Sequence, residues 1–455
     1  MRHMHPKGTR KASESGSNGS VQHGKFEFLP IEDLKPDPRN PRQHDRQQIL
    51  AIAKSVDAFG FNAPILIDRD RVIIAGHGRL EAARLLGLKI VPTVRLEHLT
   101  KAQARAYQLA DNQLTDRSTW DDGKVAVQLK ELSEMAIDFD LEATGFELPE
   151  IDRLIQSLDD PEVADDADQF EEAEDDAVSV PGDLWILGDH RLYCGSALDP
   201  NIYRILLDGA RAVAVVTDPP FNVRIKGHVS GNGAKQHPEF AMASGEMSED
   251  KFAAFLTQTF GLLSIHMVAG AIGYFAMDWR HMQEILAASR AVSWDFLNLC
   301  VWVKSNGGMG SFYRSRHELF FVFKKHGAAH INNVQLGRHG RNRENVWFYP
   351  GANAFRRKGQ VDGLALHPTT KPVGLIADAL LDSTKRGDVV LDPFVGSGTI
   401  FIAAERTGRR AYGIEIDGRY TDVAIARWER FTGRKAQNAQ GQTFAQVKLE
   451  RRGEQ

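Results

Sequence analysis

Two short segments carry the residue types best suited to chemistry. Thr217-Asp218-Pro219-Pro220-Phe221 sets a carboxylate, two prolines and an aromatic ring directly after the apolar run Ala212–Val216. Proline lacks an N–H and fixes its own φ, so such a loop is stiff and can hold a carbonyl outward. A carboxylate and a carbonyl accept protons, and an aromatic ring stacks on a planar ligand. Far later comes Asp388-Val389-Val390-Leu391-Asp392-Pro393-Phe394-Val395-Gly396-Ser397-Gly398-Thr399. Gly396 and Gly398 let the backbone turn sharply and approach a ligand. Glu415 closes the next strand-like run, Arg410–Glu415, where it can accept hydrogen bonds from ribose hydroxyls. A dinucleotide fingerprint needs a third glycine, and Thr399-Ile400-Phe401 supplies none. Both segments should lie at the carboxyl ends of parallel strands, where open α/β sheets bind ligands.

The elements that must position them are readable from periodicity. Residues 180–435 form the unit bearing both segments, with strands over Ala212–Thr217, Asp388–Leu391 and Arg410–Glu415 and helices over Thr399–Thr407 and Val373–Leu381. Gly182 to Gly195 reads as a small hairpin at its entry. Before it lie a disordered tail (1–24), a small α+β unit (25–115), an amphipathic helical connector (116–158) with Val125, Leu129, Leu132 and Met135 at helical spacing, and an acidic linker (159–179). Residues 436–455 read as a polar tail. The formal charge of -4 conceals a segregation: Asp159 to Asp176 holds eleven acids and no base, so the rest is mildly basic. That stretch should be solvated and extended by self-repulsion. No apolar run approaches the roughly 20 residues of a membrane span. The positive start has no apolar core, so it does not read as a secretory signal. Cys194 and Cys300 are the only cysteines, which excludes a disulfide scaffold and fits a reducing cytosol; no metal site is expected.

The string Asp-Pro-Phe-Val-Gly-Ser-Gly-Thr at 392–399 resembles the S-adenosylmethionine loop of DNA amino-methyltransferases, and Asp218-Pro219-Pro220-Phe221 resembles their catalytic loop. Catalytic loop before cofactor loop is the order of the β group. The resemblance implies a Rossmann-like α/β domain. It also implies Asp392, Phe394, Gly396, Ser397, Gly398, Thr399 and Glu415 around S-adenosylmethionine, and Lys371 of His367-Pro368-Thr369-Thr370-Lys371-Pro372 near the methionine end, paired with the cofactor carboxylate or a phosphate. Asp218 and the Pro219 carbonyl would accept the two protons of an exocyclic amine whose lone pair is delocalised into its ring, and Phe221 would stack on the base. A duplex base must leave the stack to reach such a pocket. Asp at the first position resembles mostly the adenine N6 enzymes; cytosine N4 is the alternative. Cytosine C5 chemistry needs a cysteine beside the base, and neither Cys194 nor Cys300 lies in a proline-cysteine loop.

Ile31-Glu32-Asp33-Leu34, Ile65-Leu66-Ile67 and Gly76-His77-Gly78-Arg79-Leu80-Glu81-Ala82-Ala83 resemble the ParB N-terminal domain, whose fold is shared with sulfiredoxin. Two glycines, a following helix N-terminus and Arg79 would suit a phosphate or a nucleotide at Gly76, His77, Gly78 and Arg79. Chromosome-partition members carry two successive arginines there, whereas Arg79 is followed by Leu80.

Double-stranded DNA is the expected partner; a nucleotide at the first unit and a homodimer are left open, and the expected location is the cytoplasm. Arg314, Arg316, Arg338, Arg341 and Arg343, with Arg356-Arg357-Lys358, gather cations among aromatics, so residues 330–366 read as the target-reading insert. Gly227 to Gly245 is a second glycine-rich loop, expected to order on ligand binding. Two rivals remain. One is a ParB-type binding protein with an inactive methyltransferase; the other is methylation of a protein or RNA amide, whose enzymes resemble the reverse motif order with Asn in the catalytic loop.

Overall fold

A computed structural model describes residues 24–453 except 136, 159–164, 169–172, 175, 223–245, 306–311, 335–340 and 351–369. The disordered-tail expectation for 1–23, the loop 227–245, Arg338 and Arg356–Lys358 lie outside the described residues. The chain divides into two units, Met1–Glu147 and Leu148–Gln455.

The first unit holds strands β1 (Lys25–Pro30), β2 (Ile65–Ile67), β3 (Ile73–Ala75) and β4 (Ile90–Arg95), in the order β1-β4-β2-β3. Its helices are α1 (Arg46–Phe59), α2 (His77–Leu85), α3 (Lys101–Asp116) and α4 (Asp122–Glu134). Asp45 caps α1 by accepting the Gln48 N–H at 2.7 Å, and Gly60 ends it at φ 83°. Thr100 and Gln103 form a reciprocal capping box on α3. Ile65, Ile67, Ile73, Leu80 and Val91 make a small core. Helix α2 starts at His77, directly after Gly76. Gly76 makes this possible: it sits at φ 102° as the N-cap, a conformation that only glycine adopts cheaply.

The second unit is built on one ten-stranded sheet. Its elements are α5 (Leu148–Gln156), β5 (Leu184–Leu187), β6 (His190–Cys194), α6 (Pro200–Leu207), β7 (Ala212–Thr217), α7 (Glu249–His266), β8 (Met267–Met277), α8 (Met282–Ala291), β9 (Trp294–Val303), β10 (His317–Lys325) and β11 (Val346–Phe348). They continue with α9 (Val373–Ser383), β12 (Val389–Asp392), α10 (Thr399–Thr407), β13 (Arg410–Glu415), α11 (Gly418–Thr432), β14 (Gln437–Asn438) and α12 (Phe444–Arg452). The order is β11-β9-β10-β8-β7-β12-β13-β6-β5-β14. Strands β8, β7, β12, β13 and β6 run parallel, and β10 inserts antiparallel between β8 and β9.

Strand side chains alternate between faces, so a strand buried on both sides reads as one apolar run. Ala214, Val216, Val390, Phe320 and Val322 join one core with α9, α10 and α11, around Trp428 and Phe401. Val215, Leu391, Phe321 and Phe323 join the other with α6, α7 and α8, around Phe252 and Phe260. The result is the helix–sheet–helix sandwich expected of a Rossmann-like domain.

Two stretches differ from the sequence reading. Residues 436–455 are no loose tail as far as Gly453: α12 has a Thr443–Gln446 capping box, Val447 is buried, and Phe444 packs edge-on against Trp185. The acidic segment is not simply a solvated spacer. Asp165 pairs with Arg406, and Asp168 is only 4% exposed and accepts the Val373 N–H at 2.8 Å. Self-repulsion yields here to arginines of α10 and α11 that the linear sequence does not place nearby. Among the described residues no helix is long and apolar enough to cross a membrane.

Candidate active site

β7 and β12 are neighbours, and the chain leaves them in opposite directions, β7 towards β8 and β12 towards β13. Such a switch point opens a crevice beyond the carboxyl ends of the strands. The two segments singled out above meet there. Thr217 Oγ1 donates to Asp392 Oδ1 at 2.6 Å, joining the two strand ends directly.

On the β7 side, Asp218 Oδ2 lies 2.5 Å from Lys371 Nζ, which also stands 3.0 Å from Glu318 Oε2. Lys304, at the end of β9, pairs with the same Glu318. Two carboxylates and two ammoniums therefore share one pocket. Burial opposes the charge on Lys371, but Asp218 and Glu318 outweigh it and hold the ammonium above its ordinary range. Burial likewise works against the Glu318 carboxylate, yet Lys371 and Lys304 hold its pKa down. Asp218 is pushed up by burial, with Lys371 pulling against the rise. Its Oδ1 is buried and meets no hydrogen-bond donor among the described residues. The Phe221 ring packs beside it, 5.6 Å from Lys371 Nζ. Asn222 and Met247 exchange two hydrogen bonds, of 2.8 and 3.1 Å, fixing where the chain leaves and rejoins the site.

On the β12 side, Asp392 Oδ1 also accepts the Phe394 N–H at 3.0 Å. Glu415, at the end of β13, accepts the Gly396 N–H at 2.7 Å and the Asp417 N–H at 2.9 Å. Burial raises both carboxyls to about 7. Gly398, at φ 81°, touches α11 so closely that an added Cβ would lie 2.7 Å from the Ala424 methyl. Phe394 packs on the core beside Phe255. Arg427 supports the loop from beneath, donating to the Ser397 carbonyl and hydroxyl, both at 3.2 Å, and to Thr399 Oγ1 at 3.0 Å.

Several expected sites change character. Arg341, expected among the DNA-reading cations, is withdrawn from solvent: its side chain is 3% exposed and bound to Asp382 at 2.6 Å and Asp378 at 3.2 Å. Arg343 joins the same two acids at 3.0 and 3.2 Å and donates to Tyr349 Oη. Two carboxylates one turn apart on α9 make an inward counter-charge that buried guanidiniums require. Arg314 and Arg316 remain exposed just before β10. The Lys371 ammonium, expected to meet the cofactor carboxylate or a phosphate, pairs here with Asp218 and Glu318, while its carbonyl accepts from Thr399 Oγ1 at 3.4 Å. In the first unit, Gly76, His77, Gly78 and Arg79 line a cleft of about 200 Å³ together with Arg42, His44 and Asn112. Arg79 donates there to the Ala63 and Pro64 carbonyls, at 3.0 and 2.5 Å, and pairs with no acid among the described residues. Glu318, Lys304, Arg427 and Asp168 carried no expected site role in the sequence. The available signal was an ionisable residue at each end of an apolar strand pair, Lys304 after β9 and Glu318 opening β10.

Comparisons with known proteins give the relatives of each part of the chain. The DNA methylase family, covering the N6 and N4 amino-methyltransferases, matches residues 213–426; the ParB N-terminal domain matches 13–113; and the ParB-methyltransferase HTH domain matches 124–181. Residues 213–426 thus form a DNA methylase domain, with a ParB-like N-terminal domain ahead of it in the chain. It is 26% identical over 259 residues to the type II methyltransferase M.HpaI of Haemophilus parainfluenzae, covering 52% of this chain and 74% of that protein. Over 79 residues it is 39% identical to the ParB-like nuclease domain-containing protein YnaK of Escherichia coli K12, covering 17% of this chain and 91% of that protein. Among solved structures, the complex of M1.HpyAVI with S-adenosylmethionine is similar at 19% identity and a TM-score of 0.38, over 52% of this chain and 97% of that one. The HTH match takes in α4 and α5, where the sequence suggested only a connector.

Proposed function

We propose that this chain methylates the adenine N6 amine of a specific site in double-stranded DNA. S-adenosylmethionine, when bound, supplies an electrophilic methyl on a sulfonium. The residues present fit it: two buried carboxyls, Asp392 and Glu415, stand at neighbouring strand ends, suited to an ammonium and a ribose diol, and glycines 396 and 398 bring the backbone close. Phe394, Ser397 and Thr399 would complete that wall.

Opposite it, Asp218 and the Pro219 carbonyl accept the two amine protons, with Pro220 stiffening the turn. This biases the nitrogen lone pair out of the ring, towards the methyl. Lys371 works against the upward push of burial on Asp218 and fixes the orientation of its carboxylate through Oδ2, leaving Oδ1 for the amine. Phe221 stacks on the extruded base. Much of the acceleration would come from this positioning.

The observation that carries the reading is Asp218 itself, anchored by one oxygen, with no donor on the other among the described residues, and directly following Thr217, whose hydroxyl bonds Asp392. An Asp opening the catalytic loop favours adenine over cytosine N4. The test is transfer of a labelled methyl to DNA, with nucleosides separated after digestion. Wild type should give N6-methyladenine and Asp218→Ala at least 100-fold less. Equal incorporation by the two would refute the assignment, N4-methylcytosine would overturn the choice of base, and label in protein alone would favour amide methylation. Cytosolic action is part of the proposal, supported by two free cysteines. A phosphate-bearing ligand at Gly76–Arg79 remains a further proposal, testable by calorimetry with nucleoside triphosphates; absence of binding heat would end it.

A further inference from the structure

Phe312 and Tyr313 are 86% and 82% exposed, more than any other large apolar side chains among the described residues. Their rings contact one another edge-on at 4.6 Å. Water is a poor environment for two aromatic rings, so such a pair calls for a partner. Its position says which. The β9–β10 ladder continues past the strands, with the Lys304 N–H donating to the Arg316 carbonyl at 2.9 Å and Arg316 Nε to the Lys304 carbonyl at 2.7 Å. Register then fixes which end of the sheet this is. Leu319 of β10 pairs with Met277 of β8, and Phe275 of β8 pairs with Thr217 of β7. The start of β10 therefore lies at the carboxyl end of β7, the end that carries Asp218. Glu318 confirms it by meeting Lys371. Chain length holds Phe312 and Tyr313 within roughly 20 Å of Glu318.

The surroundings are cationic. Arg314, Arg316 and His317 follow on the exposed side, while the first acid, Glu318, turns inward. Aromatic rings among positive charges at a rim fit stacked bases between phosphates better than a protein surface. Removing a base from a duplex also leaves a gap whose lost stacking must be replaced. We propose that Phe312 and Tyr313 form a stacking wedge that enters the duplex beside the target base and fills that gap, with Arg314 and Arg316 on the flanking phosphates. This rests on the DNA amine-transfer reading.

The test uses the full chain and duplex oligonucleotides bearing the methylated site, mapped beforehand by modified-base sequencing. In one duplex the target base is paired; in the other it is mismatched and so already unstacked. The double variant F312A/Y313A should lose at least tenfold in kcat/KM on the paired duplex and recover most of it on the mismatched one. With 2-aminopurine at the target position, wild type should give a fluorescence rise on binding that the variant lacks, and F312W/Y313W should restore it. Turnover of the paired duplex within twofold of wild type, or equal losses on both duplexes, would overturn the wedge. Wild-type inactivity on all DNA would overturn the amine-transfer reading and the wedge together.

Discussion

Asp392→Asn separates what stabilises the fold from what serves the site. Thr217 and Phe394 both donate to the same carboxylate oxygen, Oδ1, so an asparagine can retain both bonds and lose only the charge. Burial lifts this carboxyl from 3.8 to about 7. A raised acid favours the folded state while protonated: the contribution is complete below 3.8, is lost as pH climbs, and is gone above about 7. Wild type should therefore fall behind the variant by about 1.4 kcal/mol per pH unit across that window, towards a ceiling of about 4 kcal/mol. Relaxation around the buried charge will leave the observed value below the ceiling. Denaturant unfolding of both proteins without cofactor, from pH 5 to 8.5, reads the difference directly. It should widen to near pH 7 and then level off, while calorimetry shows cofactor affinity at least tenfold weaker in the variant. A stability difference that does not change with pH would refute the argument.

Three further outcomes follow from the same packing. Lys371→Met removes the ammonium between Asp218 and Glu318, so turnover should fall at least tenfold and the acid limb of the pH–rate profile should move to higher pH; an unmoved limb would show that Lys371 does not govern Asp218. Arg341→Met leaves Asp378 and Asp382 to Arg343 and should cost up to about 3–5 kcal/mol of stability without changing DNA affinity per folded molecule; lost DNA binding at full stability would restore it as a DNA reader. Gly398→Ala forces a methyl into α11 at a positive φ and should weaken cofactor binding well before DNA binding, as equilibrium titrations of each would show.

The catalytic and cofactor loops were legible because both follow strands buried on two faces, which read as continuous apolar runs, and because Pro and Gly mark the turns after them. The same logic set α10 at Thr399–Thr407 and β13 at Arg410–Glu415. What escaped depends on pairing between distant segments. Arg341 and Arg343 look like solvated cations until α9 brings Asp378 and Asp382 to them, and those acids sat inside a helix notable for its apolar residues. Glu318 became part of the site only through the antiparallel insertion of β10. In the acidic segment, charge density hid the positions that meet Arg406 and Arg427. The C-terminal helix offered only Phe444 and Val447 against a polar background, too little to announce a packed face.

The most direct test of the account is a crystal structure of the chain with an unreactive S-adenosylmethionine analogue and its DNA site. The account predicts the target adenine out of the duplex, its amino nitrogen bonded to Asp218 Oδ1 and the Pro219 carbonyl, and the analogue between Asp392 and Glu415 on the other wall. A base still stacked in a productively bound duplex, or an analogue seated away from those two acids, would contradict it.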